Sequence, residues 1–274
     1  MKKEAKQNLL CILLLFNSCS FLYATDNLRV ADARNMGMGG NGVTGTALFN
    51  PALIALYEKK SIRLNYYNPY GLKELANING SLYIHNHVLP IGVDIQSFGY
   101  DVFRESMFRL LMGKRLNEQW ILGVSFQYAL LQTELLEEKA GRISTDLGIG
   151  FQPVENLLIG MLIMNFPSVS LGDKSINIED FGAYRLQIGL RWKIINNLFI
   201  SGTLENNEQH AVTANAGIEY EPFTDFSLRI GIKDKPLNPS FGVGYAFMMF
   251  RVDMAVIYHT VLGVSIGAGV MFSF

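Results

Sequence analysis

From residue 61 to the last residue, large apolar side chains recur at every second position, in run after run. A repeat of two is the side-chain period of an extended strand, so each run presents one apolar face and one face of another kind. In the final run Val264, Ile266, Ala268, Val270, Phe272 and Phe274 share one face. Ser265, Gly267, Gly269, Met271 and Ser273 share the other. Tyr184, Leu186, Ile188, Leu190 and Trp192 alternate in the same way with Arg185, Gln187, Gly189, Arg191 and Lys193. About fourteen such runs can be counted, at 61–67, 77–86, 88–98, 105–115, 119–133, 141–152, 156–166, 182–194, 197–206, 210–222, 225–234, 239–249, 250–259 and 262–274. The third and fourth are the least regular, because Pro90 falls in one and Leu110-Leu111-Met112 blurs the other. The stretch 157–164 is apolar on both faces, which predicts packing against something inside.

Alternation by itself fits a water-soluble sandwich as well as a barrel in lipid. Three features favour the barrel. The runs are long enough to cross a bilayer at a tilt. Aromatic residues such as Trp120, Trp192, Tyr220 and Tyr258 fall at run ends, as interface girdles would. The chain also opens like a secretory signal, with Lys2, Lys3 and Lys6 before the apolar stretch Leu9–Phe16 and Leu22-Tyr23-Ala24 as a cleavage site. An uncleaved anchor, or lipid attachment through Cys19, are the alternatives for this segment. The hydrophobic share is 49%, yet no apolar stretch of helical membrane-span length follows the signal. An even strand number puts both ends of the barrel chain on the periplasmic side. Longer loops are expected at 167–181 and 234–239, and a tight turn at Asn196-Asn197.

Cleavage after Ala24 removes Cys11 and Cys19, the chain's 2 cysteines, so the mature chain has neither disulfide nor thiolate chemistry. It also takes three of the 23 basic residues and Glu4 of the 24 acidic ones, leaving a slight acidic excess. That balance excludes an electrostatic footprint for nucleic acid. The Gly-rich stretch Gly37–Gly42 lacks the strand, helix and Lys of a phosphate loop, and reads as compact backbone in a confined space. His85 and His87 share a face of the second run and could in principle chelate; surface or girdle positions are the expectation for them. No nucleophile elbow or HExxH motif occurs, so no catalytic site, cofactor or metal is expected. The small-residue faces carry Arg63, Asp94, Arg109, Asp146, Arg185, Arg191, Glu219, Arg229, Arg251 and Asp253. Their mixed signs predict cross-strand ion pairs in the lumen, or a polar path for a solute head group.

Ala33-Arg34-Asn35-Met36-Gly37-Met38-Gly39-Gly40, followed by Asn50-Pro51-Ala52, resembles the FadL-type outer-membrane transporters and their PorV/PorQ relatives in Bacteroidota-type bacteria. The likeness extends over residues 31–274 and is specific chiefly in this motif. It implies a 14-stranded transmembrane antiparallel β-barrel in the bacterial outer membrane. Residues 1–24 would be the signal peptide, 25–60 a hatch folded inside, and 61–274 the barrel. Arg34, Met36, Gly37, Gly39, Gly40, Asn50, Pro51 and Ala52 would gate it. Phe272 and Phe274 would resemble the signal read by the barrel-assembly machinery. The implied function is passive transport of a small hydrophobic or amphipathic molecule. The alternative is an accessory barrel that engages secretion-system proteins. Outer-membrane lipids are partners in either case. The chain is shorter than typical FadL-type members, which puts fatty-acid capture by long outer loops in doubt.

Overall fold

The computed structural model describes residues 32–133, 140–171, 184–207 and 210–274. The signal reading of residues 1–24 lies outside them, as do residues 25–31.

The alternating runs form β1 (Ser61–Asn68), β2 (Asn77–Ile84), β3 (Ile91–Gly99), β4 (Phe103–Arg115), β5 (Trp120–Thr133), β6 (Ala140–Val154), β7 (Leu157–Met164) and β8 (Ser168–Leu171). They continue as β9 (Arg185–Ile195), β10 (Leu198–Asn207), β11 (His210–Phe223), β12 (Phe226–Lys233), β13 (Asn238–Phe247), β14 (Phe250–His259) and β15 (Gly263–Ser273). Every pairing is antiparallel, and β1 pairs with β15, so the sheet closes on itself. Closure removes the unpaired edges that an open sheet would expose. β7 and β8 lie end to end against β6 and act as one stave. The fifteen strands among the described residues thus make a closed barrel of fourteen staves. Asn165, at a φ of 58°, interrupts that stave. The ladder is carried across the gap by Phe166 N–H donating to the Thr145 carbonyl at 2.8 Å and Thr145 N–H to the Pro167 carbonyl at 3.1 Å.

Three expectations need correction. The segment 167–181 is not all loop, because Ser168–Leu171 is strand; residues 172–183 lie outside the description. The expected long loop at 234–239 is a short turn at 234–237, with Pro239 inside β13. The third and fourth runs are regular, because Pro90 precedes β3 and the apolar triplet sits in β4 with only Leu111 fully buried.

β1 starts and β15 ends at one rim, the lower one, where Ser61 pairs with Ser273. Outward positions form an apolar band around the whole barrel. Leu64, Ile95, Phe108, Ile230 and Ile266 are each 48–60% exposed in it. A closed apolar belt of this extent suits hydrocarbon, not water. Aromatics mark the lower rim: Trp120 packs on Phe151 at 4.4 Å, Phe250 on Phe272 at 4.9 Å and Phe272 on Phe274 at 5.4 Å. Phe274 N–H extends the ladder to the Lys60 carbonyl at 2.9 Å.

Residues 32–57 lie inside the barrel. Asp32 caps the helix α1 (Ala33–Gly37), accepting from Asn35 N–H at 3.1 Å. Gly39 and Gly40, at φ of 73° and 83°, turn the chain out of the helix, as left-handed backbone allows glycine to do. Asn50 caps a 3-10 helix, Pro51–Leu56, accepting from Ala52 N–H at 3.1 Å. Leu48, Phe49, Leu53 and Ile54 then pack with Tyr83, Leu111 and Leu158 of the wall in the largest apolar core among the described residues.

Candidate functional site: the occupied lumen

The inward face of the barrel is built from small residues because backbone lies directly on it. A Cβ on Gly231 of β12 or Gly217 of β11 would overlap the backbone at Met38 and Gly39. A Cβ on Gly242 of β13 would stand 3.0 Å from the Gly37 Cα. Further along, Gly160 of β7 lies under Val43, Gly148 of β6 under Asn50, and Gly123 of β5 under Pro51 and Ala52. Residues 36–54 therefore track around the inner wall from β15 to β3, meeting inward glycines on ten of the described strands they cross.

Polar contacts fix the track. Gly39 N–H donates to Ser240 Oγ at 3.0 Å. Asn50 Nδ2 donates to the Val43 carbonyl at 2.9 Å and the Ile149 carbonyl of β6 at 3.2 Å. Asp32 pairs with Arg63. Arg109 of β4, 1% exposed, pairs with Asp94 at 2.8 Å and Asp146 at 3.7 Å, and also donates to the Leu48 carbonyl. Arg185 pairs with Glu205 at 3.4 Å.

The largest charged cluster centres on Glu219. Arg34 of the inner segment grips it with Nη2 at 2.7 Å and Nε at 3.2 Å. Arg229 approaches at 2.9 Å, Arg191 at 3.1 Å and Arg251 at 3.9 Å. Asp253 accepts from Arg229 at 2.8 Å and Arg251 at 3.2 Å. Buried charges survive only with such partners.

The inner segment divides the remaining space in two. An upper cavity of about 230 Å³ is walled by Met36, Phe49, Tyr67 and Ile257, with Lys233, Asn238, Ser240 and His259 among its polar groups. A lower cavity of about 430 Å³ is lined by Arg34, Arg63, Arg191 and Arg251 with Leu53, Leu56 and Leu158. All eight residues given to gating from sequence lie on the inner segment, but only Met36, Gly39 and Gly40 of them face the upper cavity. Asn50, Pro51 and Ala52 sit against β5 and β6 instead.

His85 and His87 do not share a strand face: β2 ends at Ile84, and both stand in the link that follows. Their rings are 5.0 Å apart, and His85 Nδ1 is 2.8 Å from the Tyr57 carbonyl. No group of three or more metal-ligating side chains occurs among the described residues. Sequence reasoning missed Asp32 and Ser240, which hold the segment. An Asp directly before a short helical stretch was a legible cap signal; nothing local marked Ser240.

No protein-family model matches the sequence, and no curated protein matches it. Solved structures do. The chain is similar to the toluene transporter TodX of Pseudomonas putida, at 12% identity and a TM-score of 0.60, over 93% of this chain and 99% of that one. It is similar to the monoaromatic hydrocarbon channel CymD, at 14% identity and a TM-score of 0.65, over 92% and 99%. It is also similar to a FadL homologue of Pseudomonas aeruginosa, at 11% identity and a TM-score of 0.57, over 89% and 97%. At such identities the likeness is one of fold: this chain shares its closed antiparallel barrel with these proteins.

Proposed function

We propose that this chain is a bacterial outer-membrane barrel, without enzymatic activity, that passively passes small hydrophobic or amphipathic molecules, with residues 25–60 as its hatch. The observation that carries the reading is the upper cavity, walled by Tyr67 and Ile257 of the barrel and bounded by Met36, Gly39 and Gly40 of the inner segment. An apolar cavity of about 150 Å³ suffices for benzene. The 230 Å³ here therefore has room for a monoaromatic molecule. The hydrocarbon channels with the same fold and the lipid-suited outer belt support the same reading. Opening would need the segment near Gly37–Gly42 to move off its glycine track. That motion is limited by the Arg34–Glu219 pair and by Asn50.

The test is flux of a monoaromatic hydrocarbon into liposomes carrying the full chain. Entry faster than into empty liposomes, and slowed several-fold by Ile257→Trp, is expected. Equal entry with and without protein would sink the reading.

A second reading, a PorV/PorQ-like accessory role in protein secretion or surface attachment, draws support from the short upper links among the described residues, at 69–76, 100–102, 234–237 and 260–262. Such links offer little groove for capturing a solute. That reading requires a protein partner that co-purifies from native membranes, and failure to find one at any growth stage would count against it.

A further inference from the structure

The lower cavity carries more cation than its carboxylates can neutralise. Four arginines, Arg34, Arg191, Arg229 and Arg251, stand within 4 Å of Glu219. The further acid in contact with them is Asp253, shared between Arg229 and Arg251. Four positive charges thus face two negative ones. Glu221 acts on Arg191 as one more carboxylate, and Lys59 lines the cavity as one more cation. Glu58 lines the cavity as a further carboxylate and Arg63 is matched by Asp32, so the described side chains leave a surplus of one positive charge.

Three of the four arginines are not sealed away. The side chains of Arg34, Arg191 and Arg251 are 20–24% exposed, and all three line the same cavity of about 430 Å³. Arg63 lines it too; its Nε is buried with no hydrogen-bond partner among the described residues. Arg191 stacks on the Phe199 ring at 4.5 Å, which holds its guanidinium in place. Guanidinium groups fixed beside a cavity match the oxygens of carboxylate or phosphate, often two at a time. Low-dielectric walls strengthen that attraction.

We propose that the lower cavity binds a small oxyanion, a phosphate or a carboxylate, between Arg34 of the inner segment and Arg191 and Arg251 of the wall. Arg34 belongs to the segment and the other two to β9 and β14, so the bound anion fastens the segment to the barrel. The site is separate from the upper cavity, and its occupancy does not depend on what the barrel transports.

The probe is inorganic phosphate, added to the full chain in detergent and read by phosphorus NMR line width and by unfolding temperature. Sodium chloride at equal ionic strength is the reference. Broadening of the phosphate line and a rise of about 2 °C or more are expected for the native chain. Both are expected to persist in Arg104→Gln, which removes a charge from an exposed pair far from the cavity. Both should fall to the chloride level in Arg251→Gln and in Arg191→Gln, each with the native strand content by circular dichroism. Acetate that displaces phosphate would assign the site to oxyanions generally; acetate that does not would assign it to phosphate. No broadening in the native chain, or equal broadening in all four proteins, would overturn the proposal.

Discussion

Arg34 and Glu219 are 185 residues apart in the chain, and their side chains meet through two parallel hydrogen bonds of 2.7 and 3.2 Å. This pair ties the inner segment to β11. Its carboxylate also accepts from Arg191 and Arg229 of the wall and stands 3.9 Å from Arg251.

Glu219→Gln is therefore expected to do more than remove one bond. It leaves four guanidinium groups around a neutral amide, and breaking a buried pair from one side costs about 3–5 kcal/mol. Unfolding in urea should shift to lower concentration by a matching amount. Protease should cut within residues 32–57 at a rate at which the native chain is intact. A variant with native stability and an uncut segment would show that the pair does not hold it.

Gly231→Ala should destabilise by about 1–3 kcal/mol, because the added Cβ meets backbone at Met38 and Gly39, which cannot move aside like a flexible side chain. Gly202→Ala is the control. It faces outward, and its Cβ meets only the Asn215 carbonyl, at 3.7 Å. Equal unfolding midpoints for the two variants would contradict the glycine track.

Asn50→Asp should be worse than Asn50→Ala. The alanine variant loses the cap and the bonds to Val43 and Ile149, worth about 1–2 kcal/mol together. The aspartate keeps the cap oxygen but turns a donor into a fully buried charge facing carbonyl oxygens. The order of the two in thermal unfolding decides the point.

Ile230→Arg tests the outer belt. Ile230 lies mid-strand between Ile218 and Phe241, and all three point away from the lumen. In a bilayer an arginine there should cost about 2–4 kcal/mol, by reversible folding into lipid vesicles. A neutral result would argue that water, not lipid, bathes this face.

The alternation was enough to give the all-β class, because period two is a local property that each strand expresses without its neighbours; the barrel needed run length, aromatic run ends and the signal-like start beside it. Arg109, Asp146, Arg185, Glu219, Arg229 and Asp253, which alternation puts on the small-residue faces, are buried in the structure. Alternation misplaced features that depend on where pairing stops. His85 and His87 fell beyond the end of β2, and the stave at β7 and β8 carried an interruption at Asn165 that no periodicity announces.

The sequence by itself determined which side of the clearly alternating strands faces in, because that parity is written residue by residue. Only the tertiary structure decided what each inward residue meets. A glycine seated under Met38, and four arginines sharing Glu219, come from register between strands far apart in the chain. Register is set cooperatively when the barrel closes, and closure is a property of the whole sheet that no single segment encodes.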